Sequence, residues 1–240
     1  MMSNHTIEHT VKSFEDELNE LKSKVLEMGK LVKKATKRSM NSIFKHDIDR
    51  AHKVIERDSS INALEVEIDE LTRNIIALRQ PAAGDLRFVI STVKLVTDLE
   101  RMGDLAENIA ISMLRTEEHP VIDTSSLHTL SEKVMIQIND ALKAFNESDE
   151  TLALECIERD KQVDSKYKAI QREYITYMLE DPRQITGGLI ATDVAKSLER
   201  IADHAVNISE MVIYMVKGHD VRHVDHKTAR ALVRGEVPEE

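Results

Sequence analysis

The sequence predicts an all-α protein made of two tandem three-helix bundles related by internal duplication. Three observations predict it. First, one stretch occurs twice. Leu99-Glu100-Arg101-Met102-Gly103-Asp104-Leu105-Ala106-Glu107-Asn108-Ile109-Ala110 returns as Leu198-Glu199-Arg200-Ile201-Ala202-Asp203-His204-Ala205-Val206-Asn207-Ile208-Ser209, so that Glu199 lies 99 residues beyond Glu100. Seven of the twelve positions are identical, where average residue usage gives fewer than about one by chance. Second, apolar residues recur every three or four positions over long spans, the period of a helix with one buried face. Third, only 3% of residues are aromatic, none is Trp, and the 240 residues include just 7 Gly and 4 Pro. Such a composition suits long helices and suits strands poorly.

The elements follow in order. Residues 1–10 are polar and are expected to fray. Phe14, Leu18, Leu21, Val25, Met28, Val32 and Ala35 then step by four and three, a heptad seam on a long first helix. His46, Asp47 and Asp49 suit a turn and the start of a second helix. Its apolar face carries Ala51, Val54, Ile61, Leu64, Ile68, Leu71, Ile75 and Leu78, and Pro81 and Gly84 end it. A third helix runs from near Asp85 to about Arg115 and carries the first copy of the repeated stretch. Thr116 to Asp123 reads as a linker, and Thr124 or Ser125 is expected to cap a fourth helix. Asn146 to Asp149 is the next turn. A fifth helix reaches about Glu180, Asp181-Pro182 breaks it, and a sixth carries the second copy to Gly218. Residues 10–117 thus form the first bundle, 124–218 the second, and 219–240 a polar tail with a short helix around Lys227–Val233. Short loops force antiparallel neighbours.

Composition and charge remove several classes of function. A net charge of −10 argues against a nucleic-acid footprint and suits cations or a basic protein partner. The single Cys156 cannot form an internal disulfide and fits a reducing compartment. With no signal segment and no apolar run near 18 residues, a cytoplasmic protein without direct membrane insertion is expected. No Gly-rich phosphate loop and no Ser/His/Asp or Cys/His arrangement stands out, so no catalytic residue or bound organic cofactor is expected.

The acidic residues carry the chemical signal. Glu100 and Asp104 are one helical turn apart, and Glu107 continues their stripe. Glu199 and Asp203 repeat the pair, with Glu210 two turns on. Like charges at this spacing cost a helix about 0.2–0.5 kcal/mol per pair. In addition, Asp58 interrupts the apolar series Ala51, Val54, Ile61, and Asp160 interrupts Ala153, Cys156, Val163 at the same step. The flanking texts, Ile55-Glu56-Arg57-Asp58 and Ile157-Glu158-Arg159-Asp160, nearly match. An inward carboxylate needs a donor, a basic partner or a metal. Asn62 and Asp164, one turn on, add oxygen atoms. Two readings stay open at this point: solvated acidic faces with salt bridges to Arg101 or Arg200, or metal sites built from Asp58, Glu100 and Asp104 in one half and Asp160, Glu199 and Asp203 in the other. Oxygen ligands favour hard or borderline cations, and the absence of paired Glu-x-x-His motifs disfavours a ferritin-like di-iron centre. His204 is a further ligand candidate or a packing residue, and His219, His223 and His226 cluster in the tail. Gly103, mid-helix beside the acids, allows a close approach by a ligand or by another helix.

The paired Glu-Arg-(Met/Ile)-(Gly/Ala)-Asp segments in a duplicated six-helix chain resemble the PhoU family. So do Arg79-Gln80-Pro81-Ala82-Ala83-Gly84-Asp85-Leu86-Arg87 and Val216-Lys217-Gly218-His219-Asp220-Val221-Arg222-His223. The resemblance covers roughly residues 10–223. It implies a cytoplasmic negative regulator of the phosphate-starvation response, linking the ATPase subunit of a phosphate ABC transporter to a phosphate-sensor histidine kinase and restraining uptake. A homodimer is expected with it. The resemblance also implies metal clusters, of Fe, Zn, Mn or Mg, on Glu100 and Asp104 and on Glu199 and Asp203; Asp58 and Asp160 are added by the register argument. The alternative is a carboxylate-rich metal-binding or metal-dependent phosphatase-like protein.

Overall fold

The computed structural model describes residues 4–121, 123–222 and 224–236. Its elements are α1 (Asn4–Lys45), α2 (Ile48–Arg79), α3 (Ala83–Arg115), α4 (Ser125–Glu147), α5 (Glu150–Glu180), α6 (Ile185–Lys217) and α7 (His226–Arg234), with one 3-10 turn at Pro182–Gln184 before α6. No strand occurs among the described residues. No helix among them is long and apolar enough to cross a membrane.

Helices α1, α2 and α3 pack on one another, and α4, α5 and α6 repeat the arrangement. The halves meet along α3 against α6 and α1 against α4, leaving α2 and α5 on the outer flanks. One apolar core runs through both halves. The seam of α1 supplies Leu21, Val25, Met28 and Val32, and the repeated stretch supplies Leu99 and Leu198, all fully buried. Each such Leu contributes roughly 2 kcal/mol of burial.

The duplication has an internal ruler. The α1–α2 turn places His46 at φ 49° and uses Asp47 as N-cap; the α4–α5 turn places Ser148 at φ 53° and uses Asp149. In both turns the capping Asp N–H donates back to the preceding helix, to the Ser42 carbonyl at 3.0 Å and to the Ala144 carbonyl at 2.9 Å. Pairing Asp47 with Asp149 sets an offset of 102 residues for α1 with α4 and for the first part of α2 with α5. Helix α6 starts later relative to its motif than α3 does, because the 3-10 turn takes up the first residues after Pro182.

The structure departs from the sequence reading in several places. Helix α1 begins at Asn4, so the described part of residues 1–10 is helical. Helix α3 begins at Ala83, which takes up Gly84 in its first turn instead of leaving it as a breaker. Thr124 holds the N-cap position of α4 without a side-chain bond; Asp123 caps instead, its Oδ1 accepting from Ser125 N at 2.8 Å. Leu78 is 76% exposed, because the inward face of α2 runs through Ile68, Thr72 and Ile75 to Arg79, whose guanidinium bonds Glu17 and Ser13 of α1. The tail is not uniformly solvated: α7 packs on α5, with Val221, Ala229 and Val233 buried. Gly187 lets the linker cross α6, since a Cβ there would lie 2.6 Å from the Pro120 carbonyl oxygen.

Candidate functional site

The repeated stretch sits on α3 and α6, and in each half its acids face the outer helix, α2 or α5. In the first groove, Asp58 reaches from α2 towards Asp104 and Glu107 on α3. One oxygen from each of these three lies within 4.8 Å of the other two. Asn62 Nδ2 donates to Asp58 Oδ2 at 3.0 Å, and Asp58 makes no ion pair among the described residues, so the salt bridge to Arg101 does not form. Gly103 permits this approach. A Cβ there would come 3.0 Å from Ile61 Cδ1 and 3.5 Å from Asp58 Oδ1.

Burial is the leading cause of raised carboxyl pKa values throughout this groove, with neighbouring carboxylates adding to it. Asp58 is raised by burial and by Asp104, against the lowering effect of the Asn62 bond. Glu107 is raised by burial and then by Asp58 and Asp104. Glu100 is raised by burial, Asp104 and Glu65, with Arg101 opposing. Glu65, on α2, is raised by burial, Asp69 and Asp104. Sequence reasoning passed over Glu65, although Asp58, Asn62 and Glu65 are spaced to share one helical face. Glu107 was noted as part of the stripe but not as a ligand. In the structure it joins the tight triad, whereas Glu100 stands beside it.

The second groove is built alike and filled differently. Asp160 and Asp164 on α5 face Glu199 and Asp203 on α6. Glu199 is raised by burial and then by Asp203, Asp164 and Asp160. Asp203 keeps solvent contact, yet burial by the flanking helices and the charges of Asp160 and Asp164 raise it, with His204 and Arg200 opposing. Gln137 Nε2, from α4, donates to Asp160 Oδ1 at 2.9 Å. Among the described residues, no three acidic, His or Cys ligand atoms gather here as closely as in the first groove. His204 turns away: its Nδ1 lies 2.8 Å from Asp98 Oδ1 on α3, so it joins the two halves rather than the acidic groove.

Both grooves offer oxygen ligands crowded by like charge, a donor set that fits a hard or borderline cation. Asp58, Asp104 and Glu107, with Glu100 and Glu65 adjacent, are the residues placed to hold one. Cys156 is not available as a nucleophile. It is buried, its thiol lies 3.6 Å from the Gln137 carbonyl, and burial pushes its pKa up to about 11. His219 is exposed; His223 and the side chain of His226 lie outside the described residues, and so does any tail cluster they would form.

Comparison with known proteins agrees with the duplicated geometry. The PhoU domain matches twice, over residues 25–113 and 127–212. The chain belongs to the PhoU family. It is 44% identical over 230 residues to a phosphate-specific transport system accessory protein PhoU homolog from Pseudomonas putida, covering 95% of this chain and 90% of that one. It is 37% identical to the PhoU accessory protein of Escherichia coli (strain K12), covering 95% of each. The crystal structure of PhoU from Pseudomonas aeruginosa superposes with a TM-score of 0.83 at 42% identity, covering 86% of this chain and all of that one. The Streptococcus pneumoniae phosphate transport system regulatory protein PhoU gives 0.81 at 31% identity, covering 87% and 99%. The two domain matches each contain one copy of the Glu-x-x-x-Asp pair.

Proposed function

We propose that this PhoU-family chain is a non-enzymatic regulator that restrains phosphate uptake and represses the phosphate-starvation response from the cytoplasm. It docks on the ATPase subunit of the phosphate ABC transporter and on a phosphate-sensor histidine kinase, and it acts as a homodimer. Its relatives are phosphate transport accessory and regulatory proteins, and the match over nearly the whole chain carries the reading. The bundles of residues 10–117 and 124–218 are the units that present the two grooves. A cation held by Asp58, Asp104 and Glu107, and a second in the groove of Asp160, Glu199 and Asp203, would supply positive charge to a negative surface and so alter its fit to a charged partner.

The test is genetic. Deleting the gene should release a phosphate-repressed reporter in high phosphate, and supplying the chain in trans should restore repression. Continued repression in the deletion strain overturns the reading. The close triad of Asp58, Asp104 and Glu107 also favours a second reading, a metal-dependent phosphatase-like protein. Turnover of a phosphomonoester by metal-loaded protein, lost in Glu100→Gln and Asp104→Asn, would establish that reading instead.

A further inference from the structure

A cavity of about 260 Å³ opens between α1 and α2 and reaches Asp58 and Gly103 at the edge of the first acidic groove. Four cations line it: Lys34 and Arg38 one turn apart on α1, Lys53 and Arg57 one turn apart on α2. None of the four makes a hydrogen bond or ion pair among the described residues. Asp47, the acid placed to act on Lys53, is itself bonded to Arg50. The remaining walls are largely apolar, with Leu31, Ala35, Val54 and Ile61, and Asp58, held by Asn62, is the one carboxylate among the lining residues.

Like charges one turn apart destabilise a helix, so these two Lys–Arg pairs work against the fold. The duplication shows that the bundle does not require them. By the 102-residue ruler, Lys34, Arg38, Lys53 and Arg57 correspond to Ile136, Asp140, Glu155 and Arg159. There Arg159 pairs with Asp140, and the pair is internally neutral. The same architecture therefore carries four positive charges against the single carboxylate of Asp58 in one half, and a net negative charge in the other. In a chain of net charge −10, that concentration of positive charge is local and directed into a concavity. Apolar walls strengthen its attraction for an anion. Two guanidinium forks and two ammonium groups match oxygens spread over more than one phosphoryl group.

We propose that the first half binds a small anion carrying two or more phosphoryl groups in this cavity, held by Lys34, Arg38, Lys53 and Arg57. The assignment stands apart from the regulatory reading; because Asp58 borders both this cavity and the acidic groove, the test is made without metal. Calorimetric titration of the full chain, in a buffer containing a chelator, with inorganic pyrophosphate, ADP and orthophosphate tests it. Pyrophosphate or ADP should bind, and orthophosphate should bind about tenfold more weakly or worse. Stronger binding of ADP would show that the apolar walls take an organic body; equal binding would show that the phosphoryl groups alone are read. Arg38→Gln/Arg57→Gln should weaken binding about tenfold or more, while Lys37→Gln, on the same helix outside the cavity, should not. The thermal midpoint of the double variant should equal or exceed the parent's, since repulsion is removed; if it falls, Lys34→Gln/Lys53→Gln serves in its place. No binding of either two-phosphoryl ligand, binding undiminished in the variants, or orthophosphate binding as tightly as pyrophosphate would overturn the proposal.

Discussion

The two acidic grooves descend from one ancestor and have diverged in opposite ways. The first carries Glu65 and Glu107 where the second has Tyr167 and Val206, and the second carries Asp164 where the first has Asn62. The second has gained internal partners: Gln137 donates to Asp160, and the neighbouring Asp140–Arg159 pair has no counterpart in the first. The packing beneath them has been exchanged rather than lost. Gly103 faces Ile61 in the first half, and by the same registers Ala202 is matched with Val163 in the second. A methyl group absent from one helix is present on the other, so the side-chain volume at this crossing is conserved. The difference teaches that the scaffold fixes the position of the acids, while the third and fourth side chains around them decide how tightly they can close on a cation.

The largest expected effect sharpens that asymmetry directly. Asp104→Asn should lower the affinity of the protein for Mn²⁺ in its tighter site by roughly a hundredfold, whereas Asp203→Asn should change mainly a weaker phase, both read by metal titration. Equal losses would mean that the grooves are equivalent despite their different side chains. Next in size is the packing exchange. Gly103→Ala should cost about 1–2 kcal/mol, overpacking against Ile61 outweighing the helix propensity gained, and adding Ile61→Val should recover most of it. A denaturant double-mutant cycle measures the recovery, and simple additivity would refute the compensation.

A third test concerns a group with no partner in the first half. Glu210 corresponds to Ile111 by the motif offset, and burial pushes its pKa up to about 7, with Asp220 and Asp98 adding and Arg222 opposing. Its folded pKa lies above the unfolded value of 4.5. It therefore has no effect on stability when neutral in both states, below the unfolded value. Its ionisation destabilises the fold progressively as pH rises through the window, and fully above about 7. Glu210→Gln should thus raise stability by about 1–2 kcal/mol above that window and leave it unchanged in acid, which thermal unfolding at several pH values reads directly. The smallest effect is expected at Gln137, whose Oε1 is buried without a partner while its Nε2 holds Asp160. Gln137→Leu loses a hydrogen bond but also an orphaned acceptor, so the change in stability should stay within about 1 kcal/mol.

Much of this was legible beforehand because helical period and local capping are written into adjacent residues. The repeat, the heptad seam of α1, the Asp47 cap, the inward register of Asp58 and Asp160 and the C-terminal Gly218 all follow from spacings within one helix or one turn. The Asp123 cap was misassigned because Thr124 and Ser125 are also good capping residues, and only backbone geometry chooses among them. Leu78 misses the core because a spacing of three or four drifts around the helix over several turns, and at the end of α2 the polar Arg79 faces α1 instead. His204 could not be assigned from its own helix, since its partner Asp98 lies across the α3–α6 contact.

By itself, then, the sequence determined that this chain is a duplicated helical protein with acids held at matching registers, since each of those features depends on residues within a few turns of one another. Only the tertiary structure decided which acids meet. Asp58, Asp104 and Glu107 converge because a missing Cβ at Gly103 lets two helices approach, and the cations of α1 and α2 share a cavity because those helices lie side by side. Distances between helices are set by packing, and packing depends on the shapes of both partners at once.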